Sequence, residues 1–475
     1  MRISGVNALE WGGAAHTAFD SRGRAHDGCG PPKRMSVFFR EARITLRLAL
    51  PIIVGQVSQM LMGVTDSIMI GHLGAVPLAA SAFASGVFSV FFVVGLGLLL
   101  PVAVLVSREH GAGDDQAGAR WLQHGVVLAV LASLAELALM LGLIAGFHRL
   151  GQPPEVLAAV NPFYALISAS ILPALVFQVF RQFAEALGRP WVPMFIMLGG
   201  VALNVVLNWI FIYGHFGAPE LGLTGAGWAT LISRVVVLIV IVVWLRRAIT
   251  FRGMWPESWS VGLRFARFAE MLRIGVPAAV MLFFEVGAFM MAALMMGWIS
   301  AQALAAHQIA LSCAGFMFMF PLGISMAVGM RVGKAVGEGR RELLRPIAGG
   351  GLAIAVAIMS VSAVGFAVAG PWLAGGFVKD DPGVVALAAQ LLVVAAIFQL
   401  FDGAQVIGSG ALRGLADVRV PAVISFVAYW LLAIPGGYVL GLHTRLGAVG
   451  VWIGLAAGLA IAAVLLAKRY LRMTR

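Results

Sequence analysis

Long apolar runs separated by short polar breaks dominate this chain, and their length predicts its elements. A helix needs about 20 apolar residues to cross the hydrocarbon core of a bilayer. Twelve runs reach that length, at roughly 44–70, 78–105, 121–146, 160–182, 191–213, 222–245, 272–297, 303–330, 346–370, 384–411, 418–440 and 447–469. The pattern therefore predicts an all-α polytopic membrane protein with twelve transmembrane helices. Composition agrees: the 475 residues are 61% hydrophobic and 11% charged, with a mean hydropathy of +0.95, outside the range of soluble globular domains.

The polar breaks are as informative as the runs. Residues 1–34 hold no apolar stretch long enough for a signal peptide and are expected to be a disordered N-terminal extension. Met35, a candidate natural start, opens a short amphipathic lead-in, Phe38-Phe39-Arg40-Glu41-Ala42-Arg43. The longest break, Arg246 to Arg273, divides the chain after the sixth run. A repeat search makes it a seam. Arg47-Leu48-Ala49-Leu50-Pro51 matches Arg273-Ile274-Gly275-Val276-Pro277 at an offset of 226, which also superposes Gly97 on Gly323, Gly111 on Gly337 and Gly113 on Gly339. An offset of 225 lays Gly222 and Gly225 on Gly447 and Gly450. The expected organisation is an N-terminal lobe (35–246), a cytoplasmic loop (247–272) and a C-terminal lobe (273–475). Six spans return the chain to its starting side, so the lobes share one orientation, related by a pseudo-twofold along the membrane normal.

A net charge of +12 would suit a nucleic-acid partner, but its distribution argues against one. With a cytoplasmic N-terminus, the odd-numbered loops hold only Arg149, Lys379 and Arg445, and Arg234 lies within the sixth run. The other 29 of the 33 Lys and Arg then fall on one side. That asymmetry is the positive-inside rule, and it predicts both termini in the cytoplasm. Cys29 and Cys313 lie far apart, and the nine histidines form no HExxH. Neither a Walker-type GxxxxGK[ST] nor a GxGxxG occurs, so no cofactor and no nucleotide-driven chemistry are expected. An intramembrane hydrolase would need a metal cluster or a paired nucleophile and base, and none is spaced to serve, so the chain is not expected to be an enzyme.

Four acids fall deep inside apolar runs: Asp66, Glu136, Glu285 and Asp402. An intramembrane carboxylate costs on the order of 3 kcal/mol and marks a functional site facing protein or water. Asp66 shares a helical face with Gln59, and Asn204 and Asn208, four apart on the fifth run, present two amides that would hydrogen-bond it if the helices face each other. Gln399, Asp402 and Ser409 share a face of the tenth run, and Glu285 on the seventh is the expected partner of Asp402. Two such carboxyls bind a hard cation such as Na⁺ or share a proton. Glu136 has no evident partner and reads as a packing residue, Arg234 as snorkelling to the cytoplasmic edge, and His307 as a packing residue near the cleft. The abundant Met and Phe, including Met281 and Phe289, offer polarisable and aromatic surface to bulky cations.

These residues together resemble the multidrug and toxic compound extrusion (MATE) family, in its NorM-like bacterial branch. The likeness covers about Met35 to the C-terminus and rests on Gly63-Val64-Thr65-Asp66, Asn204 with Asn208, Phe283-Phe284-Glu285, and Phe401-Asp402-Gly403-Ala404-Gln405 through Leu412-Arg413-Gly414. The resemblance implies a V-shaped antiporter exporting organic cations across the inner membrane in exchange for Na⁺ or H⁺, with no other cofactor. It implies a coupling-cation site, a possible Na⁺ site, at Glu285 and Asp402, and an N-lobe proton or substrate site at Asp66, Asn204 and Asn208, with Gln59, Phe398 and Gln399 in support. Phe398 departs from relatives that carry a Tyr one turn before this Asp, so a hydroxyl ligand is missing there. The expected partners are small cationic amphiphiles and the lipid bilayer; no obligate protein partner is expected, and the chain is expected to act as a monomer. A flippase for a lipid-linked or other amphiphilic metabolite is the alternative, and its cleft would be strongly cationic.

Overall fold

The computed structural model describes residues 34–147, 154–251, 253–256, 258–259, 262–378 and 381–475. Residues 1–33, where disorder was expected, and Arg149 and Lys379 lie outside them. The described chain is all-helical: α1 (Arg34–Gly71), α2 (Ala75–Leu99), α3 (Pro101–Gly111), α4 (Asp115–Ile144), α5 (Pro154–Ala169), α6 (Ile171–Ala186), α7 (Trp191–Tyr213) and α8 (Gly222–Arg247) precede the seam. After it come α9 (Phe265–Ile299), α10 (Ala301–Gly337), α11 (Leu344–Phe377), α12 (Pro382–Gly414), α13 (Arg419–Phe426), α14 (Ile434–Leu442) and α15 (Ala448–Met473). Among the described residues, twelve segments are long and apolar enough to cross a membrane. The second pairs α2 with α3, the fourth α5 with α6, and the eleventh joins α13 and α14 through a π-helical stretch, Val427–Ala433.

Proline accounts for these three interruptions. Its ring displaces the carbonyl four residues back and removes one helical donor. Pro101 follows the break at Leu100, Pro173 lies just inside α6 after the break at Ser170, and Pro435 follows the π stretch that widens the eleventh span.

The helices run beyond the apolar cores. α9 begins at Phe265, so the inter-lobe connection is shorter than 247–272. Polar residues continue the helix because they have partners: Glu270 pairs with Arg108 at 3.7 Å, and the Arg267 guanidinium lies 5.5 Å from the Trp121 ring centre. The connection is anchored by aromatic contacts. Phe251 is buried against Trp244 and Phe183, and Trp255 stacks on Phe180.

The duplication is visible in backbone geometry. Gly222 opens α8 and Gly447 immediately precedes α15, with φ of 55° and 54°, and Gly113 and Gly339 take φ of 79° and 72°. It also builds the contact between lobes. A Cβ at Gly111 would overlap the Lys334 carbonyl oxygen, and one at Gly337 would overlap the Arg108 carbonyl oxygen. These contacts exchange under the 226 offset, as do Gly97 on Ala279 and Gly323 on Ile53. The interface is thus pseudo-isologous, each patch meeting the other's counterpart, and small residues let the backbones touch.

One asymmetric contact reinforces this end. Arg331 of α10 donates from Nη1 to the Glu41 carbonyl oxygen at 2.6 Å and to Thr45 Oγ1 at 2.5 Å, while its Nη2 meets the Glu41 carboxylate. The latch and the glycine contacts at Gly111 and Gly337 sit at the ends that lead into the even-numbered loops.

A methyl group at Gly337 must push α3 away from α10, an overpacking worth about 1–3 kcal/mol. Gly337→Ala is expected to lower the melting temperature of the detergent-purified protein by about 1–3 °C. Gly365→Ala, where a Cβ meets nothing within 4 Å, should leave it unchanged; equal effects would refute the interface.

Candidate functional site

Two cavities hold three of the four intramembrane acids. The first lies within the N-terminal lobe, has a volume of about 300 Å³ and is lined by Asp66, Gln59, Arg234, Phe88, Thr230 and Gln178, among others. Asp66 is positioned from α7: Asn208 Nδ2 donates to Asp66 Oδ1 at 2.5 Å and to Asn204 Oδ1 at 3.2 Å. Further along the same pair of helices, the Tyr213 hydroxyl donates to the Met69 carbonyl at 2.9 Å. Thr65 and Ser67 bond back to the Leu61 and Gly63 carbonyls, a pattern that loosens and bends helices. The structure thus brings Asp66, Asn204 and Asn208 together, with Gln59 on the same cavity wall.

The second cavity, about 410 Å³, lies between the lobes. Its N-lobe wall includes Gln56, Leu96 and Gln182, and its C-lobe wall carries Glu285, Asp402 and Phe398. The two carboxyls, from α9 and α12, are close enough to feel each other's charge. Met281, Phe289, Phe318 and Met319 make the remainder largely aromatic and thioether surface. Asp402, Gln405, Ser409 and Arg413 form one polar stripe along α12 into the cavity. Asp402 Oδ1, Gln405 Oε1 and Ser409 Oγ have no hydrogen-bond partner among the described residues. A wall of oxygen acceptors around two carboxyls, faced by aromatic rings and sulfur, suits a cation with apolar substituents.

Two residues, Gln399 and Arg234, sit elsewhere than the sequence led us to expect, whereas Glu136 and His307 pack as expected. Gln399 turns from the cavity and accepts a bond from Ser362 Oγ at 3.1 Å on α11; at about 100° per residue, three positions put it about 60° round the helix from Asp402. Arg234 does not snorkel. It lies at the middle of α8, about 18–20 Å from either end, and turns inward, its Nη1 donating to Ser170 Oγ at 2.7 Å. Glu136 is buried against Gly95, where a Cβ would lie 3.0 Å from its Oε2, and its oxygens have no partner among the described residues. His307 is buried behind the cavity wall, receiving the Trp452 indole N–H at Nδ1, 3.2 Å away.

The residue missed was Tyr429. It lies in the π stretch, buried, and interacts with Glu285 and Asp402, although its hydroxyl makes no strict hydrogen bond. Its neighbour Trp430 donates from Nε1 to the Phe284 carbonyl at 3.1 Å, pinning α9 one residue before Glu285. Phe398 is wedged edge-on between Phe289 and Trp452. A phenol thus reaches the acids from the eleventh span where the tenth offers only a ring. The signal available was Pro435: π-bulges follow from such disruption and gather at functional sites.

The family model described as MatE matches residues 51–210 and 277–439, one segment in each half. The chain is 38% identical over 441 residues to a probable multidrug resistance protein NorM of Bradyrhizobium diazoefficiens, covering 91% of this chain and 93% of the relative. It is 36% identical to the multidrug resistance protein MdtK of Cronobacter sakazakii, covering 92% and 96%. Among solved structures, an outward-facing multidrug resistance MATE family transporter of the MOP superfamily superposes with a TM-score of 0.85 at 21% identity, covering 93% of this chain and 98% of that one. The eukaryotic MATE transporter AtDTX14 gives 0.82 at 22% identity, covering 92% and 99%; these two likenesses speak to fold.

The cavity makes a direct prediction. Glu285→Gln or Asp402→Asn is expected to weaken equilibrium binding of tetraphenylphosphonium to purified protein by about tenfold or more, and Gln399→Ala by less than about twofold. A larger effect at Gln399 than at the acids would show that the cation binds on the other face of α12.

Proposed function

The chain belongs to the MatE family, and from that premise we propose that it is a secondary antiporter exporting organic cations across a bacterial inner membrane in exchange for Na⁺ or H⁺. The observation that carries this reading is the placement of Glu285 and Asp402 in one cavity between two lobes, against an aromatic and thioether wall. Coupling then needs no further machinery. Coupling ion and cargo compete for the same carboxyls or favour different lobe arrangements, and each reciprocally displaces the other. The names of the relatives, multidrug resistance proteins, agree with an amphiphilic cation as cargo.

Both termini lie in the cytoplasm in this proposal, as charge placement predicts. The even-loop ends are then cytoplasmic, and the lobes touch there through Gly111, Gly337 and the Arg331–Glu41 latch. Glu285 lies six residues beyond Ala279, the side away from those contacts. The cavity is therefore reached from outside, and export requires the latch to part while the opposite side closes. Against a pyrophosphate-carrying flippase stands the lining itself, where Arg413 is the single basic side chain beside two acids.

Ethidium efflux from proteoliposomes tests the proposal, driven by a Na⁺ gradient alone and by a pH gradient alone. At least one gradient should drive efflux, and Glu285→Gln, Asp402→Asn and Asp66→Asn should each abolish it at normal protein levels; undiminished efflux in the first two would overturn the site. A thiol introduced as Val286→Cys, with Cys29 and Cys313 replaced by Ser, should react with a membrane-impermeant maleimide added outside cells. Reaction only from the cytoplasmic side would reverse the orientation.

A further inference from the structure

Arg234 is a charged group that the exchange reaction leaves without a task. It lies at the middle of a membrane-spanning helix, where an unneeded guanidinium is costly. Its surroundings are built around it. The guanidinium carbon lies 4.7 Å from the centre of the Phe88 ring and 5.9 Å from that of Phe92, both rings lining the N-lobe cavity. Phe88 and Phe92 stack on each other, 5.6 Å between centres. Nη1 is fixed by Ser170 at the break between α5 and α6. Asp66 lines the same cavity and its charge interacts with that of Arg234 across the space, without ion-pair contact.

Two aromatic faces with a carboxylate nearby are what proteins use to recognise a quaternary ammonium or similar cation. In this lobe that recognition site already holds a cation, and the cation belongs to the chain.

We propose that Arg234 is a specificity-determining residue: a tethered cation that fills the aromatic cage beside Asp66 and keeps exported cations out of the N-lobe cavity. Asp66 is thereby left to small exchangeable charge, and the cargo is confined to the cavity between the lobes. The inference rests on the antiporter reading above and assigns its two cavities different ligands. Arg234 performs the exclusion twice over, by occupying the rings and by presenting a like charge to an arriving cation, an arrangement of negative selection. The cavity between the lobes has no such occupant at its acids: its lining carries Glu285, Asp402, Phe289 and Phe398, and its basic side chain, Arg413, lies about three turns along α12 from Asp402.

Tetraethylammonium binding to purified full-length protein tests the exclusion in a chain carrying Glu285→Gln and Asp402→Asn, which disables the central site. That chain should show no saturable binding. Adding Arg234→Met should create it, with an affinity gain of about tenfold or more, and adding Asp66→Asn should remove it again. Arg234→Lys, which keeps a tethered cation, should not create it. The proposal fails if Arg234→Met adds no Asp66-dependent binding, or if the chain binds tetraethylammonium through Asp66 with Arg234 still in place.

Should Arg234→Met not yield folded protein, the native residue provides the second arm. With Arg234 present, Asp66→Asn should leave tetraphenylphosphonium affinity within about twofold of the parent while efflux is lost. A drop of about tenfold would mean that the cargo does bind Asp66 and would overturn the exclusion. The central-site reading fails separately, if Glu285→Gln with Asp402→Asn leaves tetraphenylphosphonium affinity intact.

Discussion

The close approach of helix backbones at the pseudo-twofold governs the rest of the structure. Gly111 and Gly337 meet the carbonyl oxygens of Lys334 and Arg108 with no side chain between. Inside a membrane, apolar surface gains little from leaving lipid for protein, so helix association depends on packing and polar contacts. Backbone contact at small residues is where packing is tightest. Held at one end, the lobes leave room at mid-depth, and the cavity lined by Glu285 and Asp402 fills that room. Bringing larger residues to the contact would change the cavity without touching its walls.

The Arg331–Glu41 pair adds a different kind of contact at the same end. Breaking a buried pair on one side leaves an uncompensated charge, whereas opening it to water lets both partners hydrate. Such a latch holds the lobes together while dry and offers little resistance once water enters. Glycine contacts supply geometry, and the ion pair supplies a contact that can be made and broken. Together they suit the proposed export cycle, in which the lobes separate at this end and close again.

The two lobes descend from one pattern but are not chemically equivalent. The 226 offset places Ala292 opposite Asp66 and Gln59 opposite Glu285, so each lobe evolved its own acid on a shared scaffold. Their neighbours diverge further. Asp66 has amides from α7 and a guanidinium across its cavity; Glu285 and Asp402 have each other and a phenol from a π-helical stretch. Symmetry set where the helices go, and local chemistry decided what each lobe holds.

Sequence alone determined the spans, their number, the duplication and which acids lie deep within the spans. Those properties are local: the bilayer requires each backbone polar group to be satisfied within its own helix, so length and hydropathy suffice. The pairing of Asp66 with Asn204 and Asn208 was also legible, because two amides one turn apart leave a single face to present. Rotation about each helix axis was not legible. Gln399 turned to Ser362 while Phe398 entered the cavity wall, and Arg234 aimed at Ser170 and Phe88 where its length had suggested the membrane edge. Tyr429 reached the acids only through a widening of the eleventh span. Such rotations are chosen by packing against helices distant in sequence, and that is what the tertiary structure alone decided.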